Sequence, residues 1–137
     1  MRELVLDASI VLEWFAPSGG NRSARKLREE FLSGAIAAMA PSLVWLEVVN
    51  VAGRRWRWDS ASLAALVESL DGLSFELVEP ELPIIATWVS RGLTAYDAAY
   101  VAVAERAGVP LMTFNATILR VAEGVARSPS WRGGAAT

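Results

Sequence analysis

Cysteine and histidine are both absent from the 137 residues, and lysine occurs once, as Lys26. The first absence removes disulfides, thiolate metal sites, iron–sulfur clusters and thiol nucleophiles. The second removes the Ser-His-Asp triad, imidazole acid–base chemistry and imidazole-held zinc. Schiff-base and Ser-Lys mechanisms would all depend on Lys26. An excess of positive charge is missing too. Thirteen basic residues face fifteen acidic ones, a net charge of −2 with a pI near 5.2, so a polyanion would have to be gripped locally. Carboxylate, hydroxyl, arginine and any hard metal that carboxylates attract remain available for demanding chemistry.

What is present is apolar: 53% of residues are hydrophobic and mean hydropathy is +0.33. A chain of this length can bury about 68–70% of its unfolded surface without staples. One domain over 1–131 and a flexible tail over 132–137 are expected. Residues 34–53 carry a single charge, Glu47, but Pro41, Ser42 and Asn50 interrupt the run. A strand, a turn and a helix explain it better than a membrane span. No basic, cleavable leader opens the chain, so a cytoplasmic protein without membrane contact is expected.

Apolar runs at 3–7, 36–40, 75–78 and 109–113 read as strands, and the stretch up to Trp131 reads as an edge element of undetermined type. Helical spacing follows the first strand at Ile10, Val11, Trp14 and Phe15 and recurs over 23–31, 42–57, 61–70, 82–90, from Thr94 to 107 and over 116–122. Strands alternating with helices predict an α/β fold with a parallel sheet covered on both faces.

Three acids and one amide stand at the joints of this pattern. Asp7 ends the first strand and, taken alone, reads as a helix cap. Asp97 is three residues after the cap Thr94 and, taken alone, reads as a capping-box acid. Glu47 lies among Val44, Trp45, Leu46, Val48 and Val49, which predicts a buried helix and a partner for the carboxylate. Either an ion pair with an arginine such as Arg54 or a functional site meets that need. In an open parallel sheet Asp7, Glu47, Asp97 and Asn115 can converge at the carboxyl edge, where such folds place their sites. Carboxylates brought together repel unless a divalent cation sits among them, and an all-oxygen set selects Mg²⁺ or Mn²⁺. Ser9 and Thr113 can add hydroxyls around it.

Leu-Asp-Ala-Ser at 6–9, Pro-Ser-Leu-Val-Trp-Leu-Glu-Val-Val-Asn at 41–50, Thr-Ala-Tyr-Asp-Ala-Ala-Tyr-Val-Ala-Val-Ala-Glu at 94–105 and Leu-Met-Thr-Phe-Asn at 111–115 resemble the four signature segments of PIN-domain ribonucleases, with small toxins of the VapC type the best match. The resemblance spans residues 2 to 131. It implies a three-layer α/β/α sandwich around a parallel sheet, Mg²⁺- or Mn²⁺-dependent hydrolysis of RNA phosphodiesters, a cognate antitoxin and a homodimer. Carried over, Asp7, Glu47 and Asp97 match three acidic positions and Ser9 the hydroxyl after the first. Asn115 stands where a fourth Asp is usual, which weakens any second metal site. Asp7 and Asp97 would hold the metal, and Glu47 would act directly or through water.

Arg54-Arg55-Trp56-Arg57-Trp58 is the one basic and aromatic cluster. It suits phosphate and base contacts or a partner, and somewhat better a helix C-terminus beside core tryptophans; tryptophans left outside the core would form an apolar patch. Phosphate-receiver and nucleotide-switch readings fail, because no second acid adjoins Asp7 and no glycine pair leads to a lysine. The surviving alternative is a PIN-like binding module whose metal site has decayed at Asn115.

Overall fold

The computed structural model describes residues 2–130. The expected tail and Trp131 lie outside the described residues. Five strands form one all-parallel sheet: β1 (Arg2–Leu6), β2 (Ile36–Ala40), β3 (Glu76–Leu77), β4 (Leu111–Met112) and β5 (Ala126–Arg127), in the order β3-β2-β1-β4-β5. The edge element of the sequence reading is therefore β5, beside β4. Among the described residues seven helices flank the sheet: α1 (Ala8–Phe15), α2 (Arg22–Leu32), α3 (Leu43–Arg54), α4 (Ser60–Asp71), α5 (Leu82–Ser90), α6 (Ala95–Ala107) and α7 (Ala116–Val121). The α/β architecture with a covered parallel sheet is the one expected.

The central position of β1 explains its sequence. Leu4, Val5 and Leu6 are fully buried, as a strand covered on both faces requires. α6 packs on β1 and β4, and seven consecutive residues, Ala98 to Ala104, are buried. All but Tyr100 are alanine or valine, small enough to let the helix lie close to the sheet. Gly108 ends α6 in the left-handed conformation (φ +70°), returning its N–H to the carbonyls of Ala104 and Glu105. An aromatic cluster closes the other side of the core: Trp14 stacks on Phe31 at 5.9 Å, and Phe75 meets Phe31 at 5.2 Å and Trp45 at 5.0 Å.

Three expectations about α3 and its surroundings need correction. The helix stops at Arg54 rather than 57. Trp56 N–H reaches back to the Val51 carbonyl and Trp58 N–H to that of Ala52, while Arg57 turns left-handed at φ +62°. That turn folds Trp56 and Trp58 together at 5.3 Å. The helix is also not buried all round: Val44, Val48 and Ala52 form its inward stripe, whereas Leu46 is 71% exposed. Hydrophobic composition alone did not distinguish these faces. Finally, every described tryptophan is at least half-buried, so tryptophan forms no surface patch there; the exposed large apolar residues include Leu46, Leu82 and Tyr96.

Candidate functional site

Asp7 follows the last residue of β1 and caps α1. Its Oδ1 accepts from the backbone N–H groups of Ser9 (3.0 Å) and Ile10 (3.4 Å) and from the Ser9 hydroxyl (2.6 Å). Its Oδ2 accepts from the Thr113 hydroxyl. The cap reading was thus correct, but it is incomplete, because a cap has no need to be 4% exposed. Burial pushes the Asp7 carboxyl up to about 6, against the opposing pull of these hydrogen bonds.

The chain just after β4 completes the same network. Thr113 is fully buried, and its Oγ1 accepts the Asn115 N–H at 2.9 Å. Ser9 Oγ accepts the Phe114 N–H at 2.9 Å. Asn115 caps α7, its Oδ1 accepting the Ile118 N–H at 3.0 Å. Thr113 and Asn115 therefore join Asp7 and Ser9 across more than a hundred residues of sequence, because β1 and β4 are neighbours.

Glu47 and Asp97 form the other half of the site. Asp97 is half-buried in the first turn of α6, where the Thr94 side chain caps its N–H at 3.1 Å. Glu47, half-buried on α3, accepts a hydrogen bond from the Tyr100 hydroxyl. Burial raises both carboxyls, and the Asp97 charge raises Glu47 further. Of the two readings of Glu47, the ion pair with Arg54 does not form: among the described residues the salt bridges are Arg2–Glu30 and Arg106–Glu81. Arg54 is seven residues along α3 from Glu47, about 10 Å of helix rise, and is exposed.

Tyr100 was missed in the sequence and connects the two halves. It is 1% exposed, and burial, the Glu47 bond and the charges of Glu47 and Asp7 all push its hydroxyl far up, so it stays a donor. The Ala8 N–H, next to Asp7, also faces it. A tyrosine in a buried helix needs a partner for its hydroxyl, and this was the one available signal.

Every candidate ligand is an oxygen, and the carboxyls are raised by burial and, at Glu47, by a like charge. A hard divalent cation among Asp7, Asp97 and Glu47 would relieve both effects. Among the described residues no three acidic side chains stand close enough together to enclose an ion in this conformation. Beside the site, a cleft of about 490 Å³ extends from Ser9 and Phe114 to Arg55 and Trp56. Arg54 and Arg57 are exposed outside its lining.

The family model described as "PIN domain" matches residues 4–124. The chain belongs to the PIN domain family. Among solved structures, this PIN domain is similar to PAE2754 from Pyrobaculum aerophilum, at 26% identity and TM-score 0.66 over 93% of this chain and 91% of that one. It shares its fold with FitAcB from Neisseria gonorrhoeae (17% identity, TM-score 0.62, 92% and 97% covered) and with a toxin-antitoxin complex from Klebsiella pneumoniae (20%, 0.57, 94% and 99%). No curated protein matches the PIN chain. Among its described residues no helix is long and apolar enough to cross a membrane.

Proposed function

We propose that this PIN domain is a metal-dependent endoribonuclease and the toxin of a toxin–antitoxin pair. The observation that supports the reading is the chain of links in which Tyr100 bonds Glu47 and feels the Asp7 charge while Asp97 acts on Glu47, on a sequence with neither histidine nor cysteine. The toxin-antitoxin complex among its structural neighbours supports an antitoxin partner, and a cytoplasmic setting is proposed with it. A homodimer is part of the same proposal.

Asp7 and Asp97 would hold Mg²⁺ or Mn²⁺, with Glu47 ligating or acting through water and Asn115 offering a neutral oxygen. An ion held there would supply Lewis acidity at the scissile phosphate and ease deprotonation of the attacking water. Ser9 and Thr113 fix the Asp7 carboxylate by donating to its two oxygens. Tyr100 occupies Oε1 of Glu47, leaving Oε2 to take a proton from the water. Desolvation favours that role, since it brings a carboxylate closer to the working pH.

The test is the melting temperature with and without Mn²⁺ for the wild type and Asp97→Asn, followed by cleavage of single-stranded RNA. Metal at about 100 times its Kd stabilises the folded state by roughly 2.7 kcal/mol. A shift present in the wild type and lost in Asp97→Asn, with cleavage following the shift, supports the reading. No shift and no cleavage would favour a binding module without catalysis.

A further inference from the structure

The cleft beside the acidic site is lined by groups that the chemistry above leaves unused. Glu13 and Arg55 both line it, and they form no salt bridge with each other or with any other described residue. Glu13 is half-buried on α1 with no hydrogen-bond partner for its carboxylate among the described residues. Trp56 and Phe114, also half-buried, add aromatic surface, and Asn21 stands at the rim. Asn21 Oδ1 caps α2 through the Ser23 and Ala24 N–H groups, so the side chain has only its NH₂ to offer. Gly20, at φ +79°, lets the chain before Asn21 pass against the Glu13 carbonyl, where a Cβ would clash. A half-buried acid and an exposed base kept apart in one cleft, with aromatic faces beside them, suit a ligand that is cationic at neither end but carries donors at one and phosphate at the other.

We propose that this cleft is a guanine subsite for the RNA, a specificity-determining pocket that rests on the nuclease reading. Trp56 or Phe114 offers a stacking face, as single-stranded RNA recognition generally uses. Arg55 receives the phosphate. Glu13 accepts from the Watson–Crick edge, and guanine alone among the four bases presents two adjacent donors there, N1–H and the N2 amino group. The Asn21 NH₂ then serves O6. A cavity of about 490 Å³ is within the range of small-molecule sites. Ser9 belongs to both the cleft and the Asp7 network, so a base bound here leaves its neighbouring phosphodiester at the carboxylates.

Binding of mononucleotides in EDTA tests this without requiring metal or cleavage. Tryptophan fluorescence is followed while GMP, IMP, AMP, CMP and UMP are titrated to millimolar concentration, with Trp56→Phe identifying the signal from the cleft. GMP should bind most tightly, IMP more weakly for want of the N2 amino group. Glu13→Gln should weaken GMP about tenfold and erase its preference, whereas Arg55→Ala should weaken all five alike. Equal binding of the five, an unchanged preference in Glu13→Gln, or no binding at all would overturn the subsite; the last would assign the cleft to a protein partner. If GMP binds selectively but the wild type cuts no RNA with Mn²⁺, the nuclease reading fails and the subsite stands.

Discussion

The Tyr100 hydroxyl, buried in α6, donates to the Glu47 carboxylate of α3 across 53 residues of sequence. A fully buried phenol and a half-buried acid thus satisfy one another between two helices that otherwise pack mainly elsewhere. The bond lowers the Glu47 carboxyl, against the desolvation and the Asp97 charge that raise it.

Tyr100→Phe keeps the ring and removes that donor. Glu47 then loses its one side-chain hydrogen bond, and its carboxyl should rise further. Because Glu47 is half-exposed, the stability cost should be modest, about 1 kcal/mol, or a fall of a few degrees in Tm. The more telling effect is on activity: the acid limb of the cleavage rate against pH should move to higher pH. A lower Tm with an unmoved pH profile would give Tyr100 a packing role only.

Much of this site was legible in the sequence wherever the signal was local. Thr94, Asp97 and Gly108 mark the two ends of α6 through capping chemistry that acts within a few residues, and the structure places them there. Asp7 at the strand-to-helix joint was legible for the same reason. Contacts between distant segments were not. Nothing near Glu47 in the chain names Tyr100 as its partner, and the nearest arginine on its own helix is too far along the axis. The end of α3 was hidden as well: 42–57 lacks any residue that forbids helix, and packing of Trp56 against Trp58, rather than a breaker, turns the chain. The stretch from Glu13 to Pro17 gave no hint of a cleft, because Arg55 and Trp56 reach it from just beyond the end of α3.

Asp7 makes the metal-free protein sensitive to pH in a definite direction. Its carboxyl titrates near 3.8 when unfolded and near 6 when folded. The folded state therefore binds the extra proton, and that stabilisation is complete below 3.8 and lost as pH rises through 6. The difference corresponds to roughly 3 kcal/mol of stability given up at neutral pH. Asp7→Asn removes the titration. Without metal it should melt higher than the wild type above pH 7, and the two melting curves should converge below pH 4. Saturating Mn²⁺ should narrow the gap at neutral pH by stabilising the wild type alone. Parallel Tm profiles across the whole range would show that Asp7 ionises as freely when folded as when unfolded.

Asn115→Asp asks whether the neutral amide limits metal binding. The cap itself should survive, since aspartate accepts from the Ile118 N–H as well as asparagine does, and a negative charge suits the start of α7. In the absence of metal the melting temperature should change little, because the favourable helix terminus opposes the repulsion from Asp7, whose partner Thr113 also receives the residue 115 N–H. With metal the two proteins should separate. A fourth carboxylate raises the ligand charge that sets affinity, so the Mn²⁺ concentration giving half the full melting shift should fall about tenfold. RNA cleavage at limiting Mn²⁺ should rise by a similar factor while the rate at saturating metal changes less. Equal half-points for the two proteins would mean that residue 115 serves the helix and not the ion, and Asp7, Glu47 and Asp97 would then account for the metal site between them.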